Sequence, residues 1–443
     1  MLARVVVIND DGAGRGGAAA IAVTGALLIA KRGIPVTFLS GDGSADPALS
    51  ALGVEVVPLA GIHIMNGRRG VAALRGLSNH NTQVALQDWL AIHDNPGTIY
   101  HLHNWHKVLS PSIFTPLHTV ASRLVMTAHD YFLACPNGGY FLYPQGRECN
   151  LAPGGLRCLV TSCDRRHYGH KLWRYTRHQV RRSRFSLTAT AATVLAVHEG
   201  MVPYLRRADI PQDAISVLRN PVTPWHSERV PAERNRDVLF VGRLERDKGI
   251  DLLAHAAQRA GVRLRIIGDG PLGPSLAEKH PEAELLGWRT PAEIAELTST
   301  ARMIVIPTRW RETFGLVALE ALMSGIPVLA SRFCLISSEI AQRRIGLVCD
   351  PFDADEMVGA IRRLADDDNL VREISQRAFM FARELAPSPD EWCDDLIRGY
   401  ERKLASETPW PINWALTVGS SDGSVAADLG PLGPQSDLRE TAL

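Results

Sequence analysis

The sequence predicts an α/β protein of two doubly wound, Rossmann-like domains, on three observations. Residues 303–331 (MIVIPTRWRETFGLVALEALMSGIPVLAS) read as strand, polar loop, Ala/Leu-rich helix, a stop at Gly325 and a second buried strand. That is a βαβ unit, whose crossover should be right-handed. The chain opens in the same manner: a strand over 4–8, a glycine-rich loop over 12–17, a helix over 18–31 closed by Gly33, and a strand over 36–39. The pattern then restarts with a strand over 238–244, after a Pro-rich stretch at 221–231 that suits an interdomain linker. A chain of 443 residues fits two such domains.

With 46% hydrophobic and 21% charged residues an ordinary soluble core is expected, and the net charge of +1 excludes a globally basic nucleic-acid binder. No apolar run approaches the ~18–20 residues of a membrane span. MLARVVVIND enters a strand without a cationic lead or cleavage site, so no signal peptide is expected. The seven cysteines are therefore expected as thiols in a reducing cytoplasm.

Further strands of the first half are expected over 98–102, 123–127, 193–197 and 215–218. The first glycine loop satisfies G-x-G-x-x-G, and Asp42 follows the second strand, which gives a nicotinamide-dependent oxidoreductase as a rival reading. Asp42 lies in a GDGSAD turn, however, where a turn role suits it better. His101 and His103 alternate onto one strand face; a metal pair is conceivable, and a cleft-lining sheet edge is preferred. Cys135, Cys149, Cys158 and Cys163 fall within one loop-rich stretch, either as a candidate structural zinc site or as free thiols in a lid. Residues 165–184 (RRHYGHKLWRYTRHQVRRSR) contain no acid. A helix there would be either a dock for anionic lipid head groups or a solvated face.

In the second half, strands are expected over 264–267, 284–288 and 347–349, and helices over 357–364 and 391–404. The strand of 303–307 feeds a helix N-terminus, where α/β sheets bind anions. Free N–H groups from Thr313 through Phe314 and Gly315 to Leu316 can accept a diphosphate. Glu312 in the loop can hold sugar hydroxyls, and Glu320 in the helix can hold a ribose. Arg243 offers a fork to phosphate oxygens and Lys248 a point charge. Asp353-Ala354-Asp355 matches a metal-binding D-x-D, but its place before a helix makes Asp353 an N-cap with Glu356 at N3.

E-x7-E from Glu312 to Glu320, ahead of the G-x-P strand at 325–327, resembles the signature of retaining family 4 glycosyltransferases (glycosyltransferase group 1), of the bacterial cell-surface polysaccharide type. Gly242-Arg243 and Lys248-Gly249 resemble the opening of that family's nucleotide-binding domain, and Ala128-His129-Asp130 a bacterial subgroup's motif. The resemblance covers roughly residues 1–404. It implies the GT-B fold: an acceptor-side domain over 1–221, a nucleotide-sugar domain over 222–388, a helix over 389–405 crossing back, and a mobile tail over 406–443. It places Gly16 and Gly17 near the donor phosphates, His129 on the donor sugar, Asn220 at the cleft, Gly268 in a family-like turn and Leu286 in the base pocket. The implied reaction moves a sugar from a nucleotide-diphosphate sugar to a saccharide or lipid-linked acceptor, with no cofactor required for catalysis. The implied setting is cytoplasmic, at the inner face of the cell membrane with peripheral contact to anionic lipid, and without nucleic acid. A GT-B sugar-nucleotide 2-epimerase is the alternative within the fold.

Overall fold

The computed structural model describes residues 1–66 and 68–406. Strands β1 (Arg4–Asn9), β2 (Val36–Ser40), β3 (Glu55–Pro58), β4 (Thr98–Leu102) and β5 (Leu124–Ala128) come first. A hairpin, β6 (Phe141–Leu142) and β7 (Arg147–Glu148), precedes β8 (Thr193–Ala196) and β9 (Ile215–Val217). The second half supplies β10 (Asp237–Val241), β11 (Leu264–Ile267), β12 (Glu284–Gly287), β13 (Ala301–Ile306), β14 (Val328–Ser331) and β15 (Gly346–Cys349). β1, β2, β4 and β5 are apolar runs buried almost throughout, as strands covered on both faces must be.

Apart from the antiparallel β6–β7 hairpin, two sheets form. The first has the order β3-β2-β1-β4-β5-β8-β9 and the second β12-β11-β10-β13-β14-β15, with parallel pairing throughout. In each, the strand order reverses once, between β1 and β4 and between β10 and β13. Ligands bind at the carboxyl ends of strands at such reversals. The loops there are 10–16 in the first sheet, and 242–249 and 307–315 in the second.

The helix Pro389–Leu404 begins with a capping box between Ser388 and Glu391. It buries Trp392, Cys393, Leu396 and Tyr400 in the core formed by Val5, Val7, Ala22 and Ala26. Gly25 leaves room for Trp392, since a Cβ there would sit 3.1 Å from its ring. Arg32 bridges to Asp390 and Asp394, and Lys403 reaches the Ala191 carbonyl at 2.8 Å. The tail expected over 406–443 lies, beyond Ser406, outside the described residues.

Residues 168–184 do form a helix, but not a solvated basic one: Lys171, Arg177, His178 and Arg181 are buried. Arg177 donates to the His106 carbonyl at 2.9 Å, Arg181 to that of Leu133 at 2.7 Å, and Arg174 to Asn137 Oδ1 at 2.6 Å. The cations satisfy carbonyls of irregular loops that have no strand partner. Three cations of the segment, Lys171, Arg177 and Arg181, are thus turned inward, while Arg165, Arg166 and Arg182 stay exposed. Asp353 caps its helix through the N–H groups of Asp355 and Glu356, both at 3.0 Å, as expected of an N-cap.

Candidate functional site

The β13 loop lies between the two domains. Gly315, in the left-handed region at φ 84°, starts the helix Leu316–Met323, whose first-turn N–H groups have no intrahelical acceptor. Phe314 is buried in the core, so only its backbone is available to a ligand. Glu312 is fixed by backbone bonds to Phe333 and Leu335, both at 3.0 Å. Its Oε2 accepts from Lys248 Nζ at 2.6 Å. From the other side, Thr313 Oγ1 donates to the His129 carbonyl at 2.7 Å. Gly17 faces the same helix: a Cβ there would lie 3.4 Å from Leu316 Cδ1, and Gly16 ends its loop at φ 93°.

Lys248, Glu312, Thr313, His129, Gly17 and Leu316 are thus brought together. Arg243 is exposed and pairs with Glu245 at 2.8 Å, with no direct bond to that group. Gly242, Gly268 and Gly287 form the adjoining floor, where Gly242 N–H donates to Ile267 at 2.9 Å and Gly268 N–H to Gly287 at 2.8 Å. The backbones approach too closely at Gly268 for any side chain. Leu286 is half-buried beside it, and Asn220 is buried. Glu320 lies one helical turn beyond the loop, and burial pushes its carboxyl up to about 7. A carboxylate with so little solvent needs donors, which ribose hydroxyls would provide.

On the first domain, His129 Nε2 lies 2.9 Å from His103 Nδ1, and burial drives the His129 ring down to about 3. His101 bonds Tyr400 Oη at 2.6 Å and Thr127 Oγ1 at 2.7 Å. These neutral histidines form a packed, hydrogen-bonded wall at the carboxyl ends of β4 and β5, and β4 is the central strand of the sheet and not its edge. Beside them Asp130 is pushed up to about 6 by burial. Asp42 accepts from Ser44 N–H at 2.9 Å and pairs with Arg15, as a turn residue does.

Several residues of this region were not anticipated. The 135–165 excursion crosses onto the second domain, with Phe141 edge-on to Phe333 at 5.4 Å and ion pairs Glu148–Arg311 and Arg165–Asp247. Arg219 holds Glu199 at 2.7 Å and Glu339 at 2.5 Å, while His198 lies 3.3 Å from Glu339. Among the described residues, His198, Glu199 and Glu339 are the one set of three whose ligand atoms all lie within 4.8 Å of one another. Arg219 already neutralises its carboxylates. Cys135, Cys149, Cys158 and Cys163 form no such set, and all are free thiols. Cys158 Sγ instead accepts from buried Lys171 Nζ at 3.2 Å. Of the two readings of these cysteines, the structural zinc site is not supported, because an ammonium group is bound to one of the thiols that would ligate it.

A family profile described as "Glycosyl transferases group 1" matches residues 223–380. Glycogen synthase of Mycobacterium tuberculosis is 29% identical over 224 residues, 48% of this chain and 52% of that protein. D-inositol 3-phosphate glycosyltransferase of Corynebacterium efficiens is 30% identical over 228 residues, 44% of this chain and 53% of that protein. The chain spans about half the length of these curated relatives. Among solved structures, sucrose-phosphate synthase from Thermosynechococcus elongatus superposes with a TM-score of 0.68 at 17% identity, covering 91% of this chain and 99% of that one. Anabaena Alr3699/HepE in complex with UDP superposes at 0.61 and 15% identity, covering 89% and 98%. At these identities the likeness concerns the fold, which is GT-B: two facing Rossmann-like domains with a cleft between them.

Proposed function

We propose that this chain, whose residues 223–380 belong to the group 1 glycosyl transferases, moves a sugar from a nucleoside-diphosphate sugar to an acceptor hydroxyl with retention of anomeric configuration. The observation that carries the reading is the β13 loop, which binds Lys248 through Glu312 and the opposite domain through Thr313. A diphosphate on the N–H groups of 313–316 would draw Lys248 towards itself and leave Glu312 to the sugar hydroxyls. Arg243, exposed at the same sheet reversal, can swing from Glu245 onto a phosphate oxygen. Lys248, Arg243 and the amides then stabilise charge building on the leaving phosphate, which is electrostatic preorganisation and requires no metal ion in this reading. Glu320 receives the ribose hydroxyls and neutral His129 faces the sugar. The acceptor hydroxyl attacks from the side the phosphate leaves, with Asp130, next to His129 on the first domain, as the candidate carboxyl to assist it.

The acceptor is a saccharide or lipid-linked hydroxyl, as in the assembly of a surface polysaccharide. A structural neighbour was solved with UDP, so uridine donors head the panel to be tested. Each nucleotide sugar is incubated with the protein and simple glycoside acceptors, and the product anomer is read by NMR. An α-linked donor giving an α-linked product supports the proposal. Epimerised nucleotide formed without any acceptor, or an inverted anomer, contradicts it.

A further inference from the structure

A row of four rings, Tyr400, His101, His103 and His129, runs from the crossing helix to the loop after β5. Tyr400 Oη bonds His101 Nδ1, and Thr127 Oγ1 bonds His101 Nε2. Both nitrogens of His101 are thus engaged, and its ring is buried. His103, just past the end of β4, packs on that ring with centroids 4.1 Å apart. Its backbone N–H donates to the Ile8 carbonyl at 2.9 Å, which fixes the chain at this point. The buried His103 imidazole is therefore held by a pinned neighbour and a pinned backbone.

That imidazole in turn holds the ring of His129. His103 Nδ1 and His129 Nε2 lie 2.9 Å apart, with the rings at 20° to one another. Burial keeps His101, His103 and His129 neutral. A neutral imidazole has one N–H donor and one bare acceptor nitrogen. A bond between two such rings needs a donor on one and an acceptor on the other, so it sets both tautomers at once. If His103 Nδ1 donates, His129 carries its own proton on Nδ1. If His103 Nδ1 accepts, His129 Nδ1 is bare. Either way the second nitrogen of His129 has one fixed role. His129 is only half-buried, and its carbonyl accepts from Thr313 of the β13 loop, so its ring and its backbone are held separately.

We infer that His103 is a positioning residue: it locks His129 in one tautomer and one orientation, so that His129 Nδ1 meets a hydroxyl of the donor sugar in a set donor or acceptor role. The sugar contact rests on the proposed function, whereas the lock does not. A ring free to exchange tautomers and to turn about its Cβ–Cγ bond would offer the right nitrogen only part of the time. Holding a group in its reacting geometry avoids that loss, and a misplacement of about 1 Å can cost ~10²-fold in rate. If His103 were packing alone, any side chain filling its space would serve.

The test compares His103→Asn with His103→Leu and His103→Gln. The Asn amide reproduces the position of Nδ1 and can donate or accept there. Leu fills space without a polar partner, and the Gln amide lies one bond too far out. The tautomer is read first, on the full chain with ¹⁵N-labelled histidine and no donor present, by long-range ¹H–¹⁵N correlation. The His129 signals are assigned by their loss in His129→Gln. A single neutral tautomer of His129 is expected in the wild type and in His103→Asn, and averaged nitrogens in the Leu and Gln variants. With donor and acceptor, kcat should fall about tenfold or more in the Leu and Gln variants and stay within about threefold in His103→Asn, while donor KM changes little. Averaged tautomers in the wild type, a single tautomer retained in both His103→Leu and His103→Gln, or equal kcat in all three variants would overturn the inference. A wild type that transfers no sugar contradicts the proposed function, and with it the sugar contact, while the spectra still decide the lock.

Discussion

Lys248 Nζ donates to Glu312 Oε2 at 2.6 Å, so the cation and the carboxylate on either side of the β13 loop form one half-buried pair. The two groups have opposite duties towards a nucleotide sugar, one to phosphate and one to hydroxyls. Each neutralises the other in the protein alone, and a donor has to separate or share them.

That pairing makes the two positions interdependent. Lys248→Ala should lower kcat/KM by ~10²–10³-fold, comparable to losing an oxyanion donor. Glu312→Gln should cost less, because the amide still meets sugar hydroxyls. The double variant should lose less than the product of the two single losses, since contacting residues are not additive. Kinetics on the four proteins checks this, and strictly multiplicative losses would show that the pair has no part in turnover.

Glu320 ties donor binding to pH. In the unfolded chain its carboxyl ionises at the ordinary value; in the folded protein burial holds it protonated up to about 7. Stability contributed by this group is therefore unaffected below the ordinary value, falls as pH rises through the window up to about 7, and stays reduced above it. Glu320→Gln should raise Tm at pH 8 and leave it unchanged at pH 4. Ribose hydroxyls favour the ionised form, so donor Kd should tighten as pH passes 7 in the wild type and stay flat in Glu320→Gln. Calorimetric titration across pH reads both effects.

Arg219 links the domains. It bonds Glu199 on its own side, Glu339 on the other, and the Leu385 carbonyl at 2.9 Å. Arg219→Met leaves two partly exposed carboxylates without their cation, a loss that water only partly offsets. A lower Tm and faster proteolysis in the 221–231 linker are expected, with Glu339→Gln intermediate because it can still accept from Arg219. A protease pattern identical to wild type in both would show that Arg219 does not hold the interface.

Asp130 sets an acidic limb if it assists the acceptor. Burial pushes its carboxyl up to about 6, so protonation on going below that pH should reduce turnover. Asp130→Asn should abolish that limb and lower the plateau. An unchanged pH profile would remove Asp130 from the reaction.

Much of this was legible in the sequence, for physical reasons that differ by element. Strands buried on both faces must be continuous apolar runs, which is why β1, β4, β5 and β13 could be placed directly. Glycines such as Gly268, at a close backbone approach, and Gly315, in the left-handed region, marked the strand ends where ligands bind. The Arg219 network was not legible, because its partner Glu339 lies 120 residues away and only the folded chain joins them. Nor was the inward turn of Arg177 and Arg181: a run of basic residues gives no sign that the carbonyls of His106 and Leu133 need donors. The cysteine spacing was equally silent about Lys171, whose ammonium sits against Cys158.

The most direct test is thermal stabilisation of the protein by UDP, GDP and ADP, in the wild type and in Lys248→Ala. At least one diphosphate should raise the wild-type Tm by several degrees at saturation, since a ligand held only by the native state stabilises it by about 2.7 kcal/mol at 100 times its Kd. In Lys248→Ala that shift should shrink to a fraction of its size. No shift with any diphosphate, or one equally large without Lys248, would contradict the assignment of this cleft to a nucleotide-sugar donor.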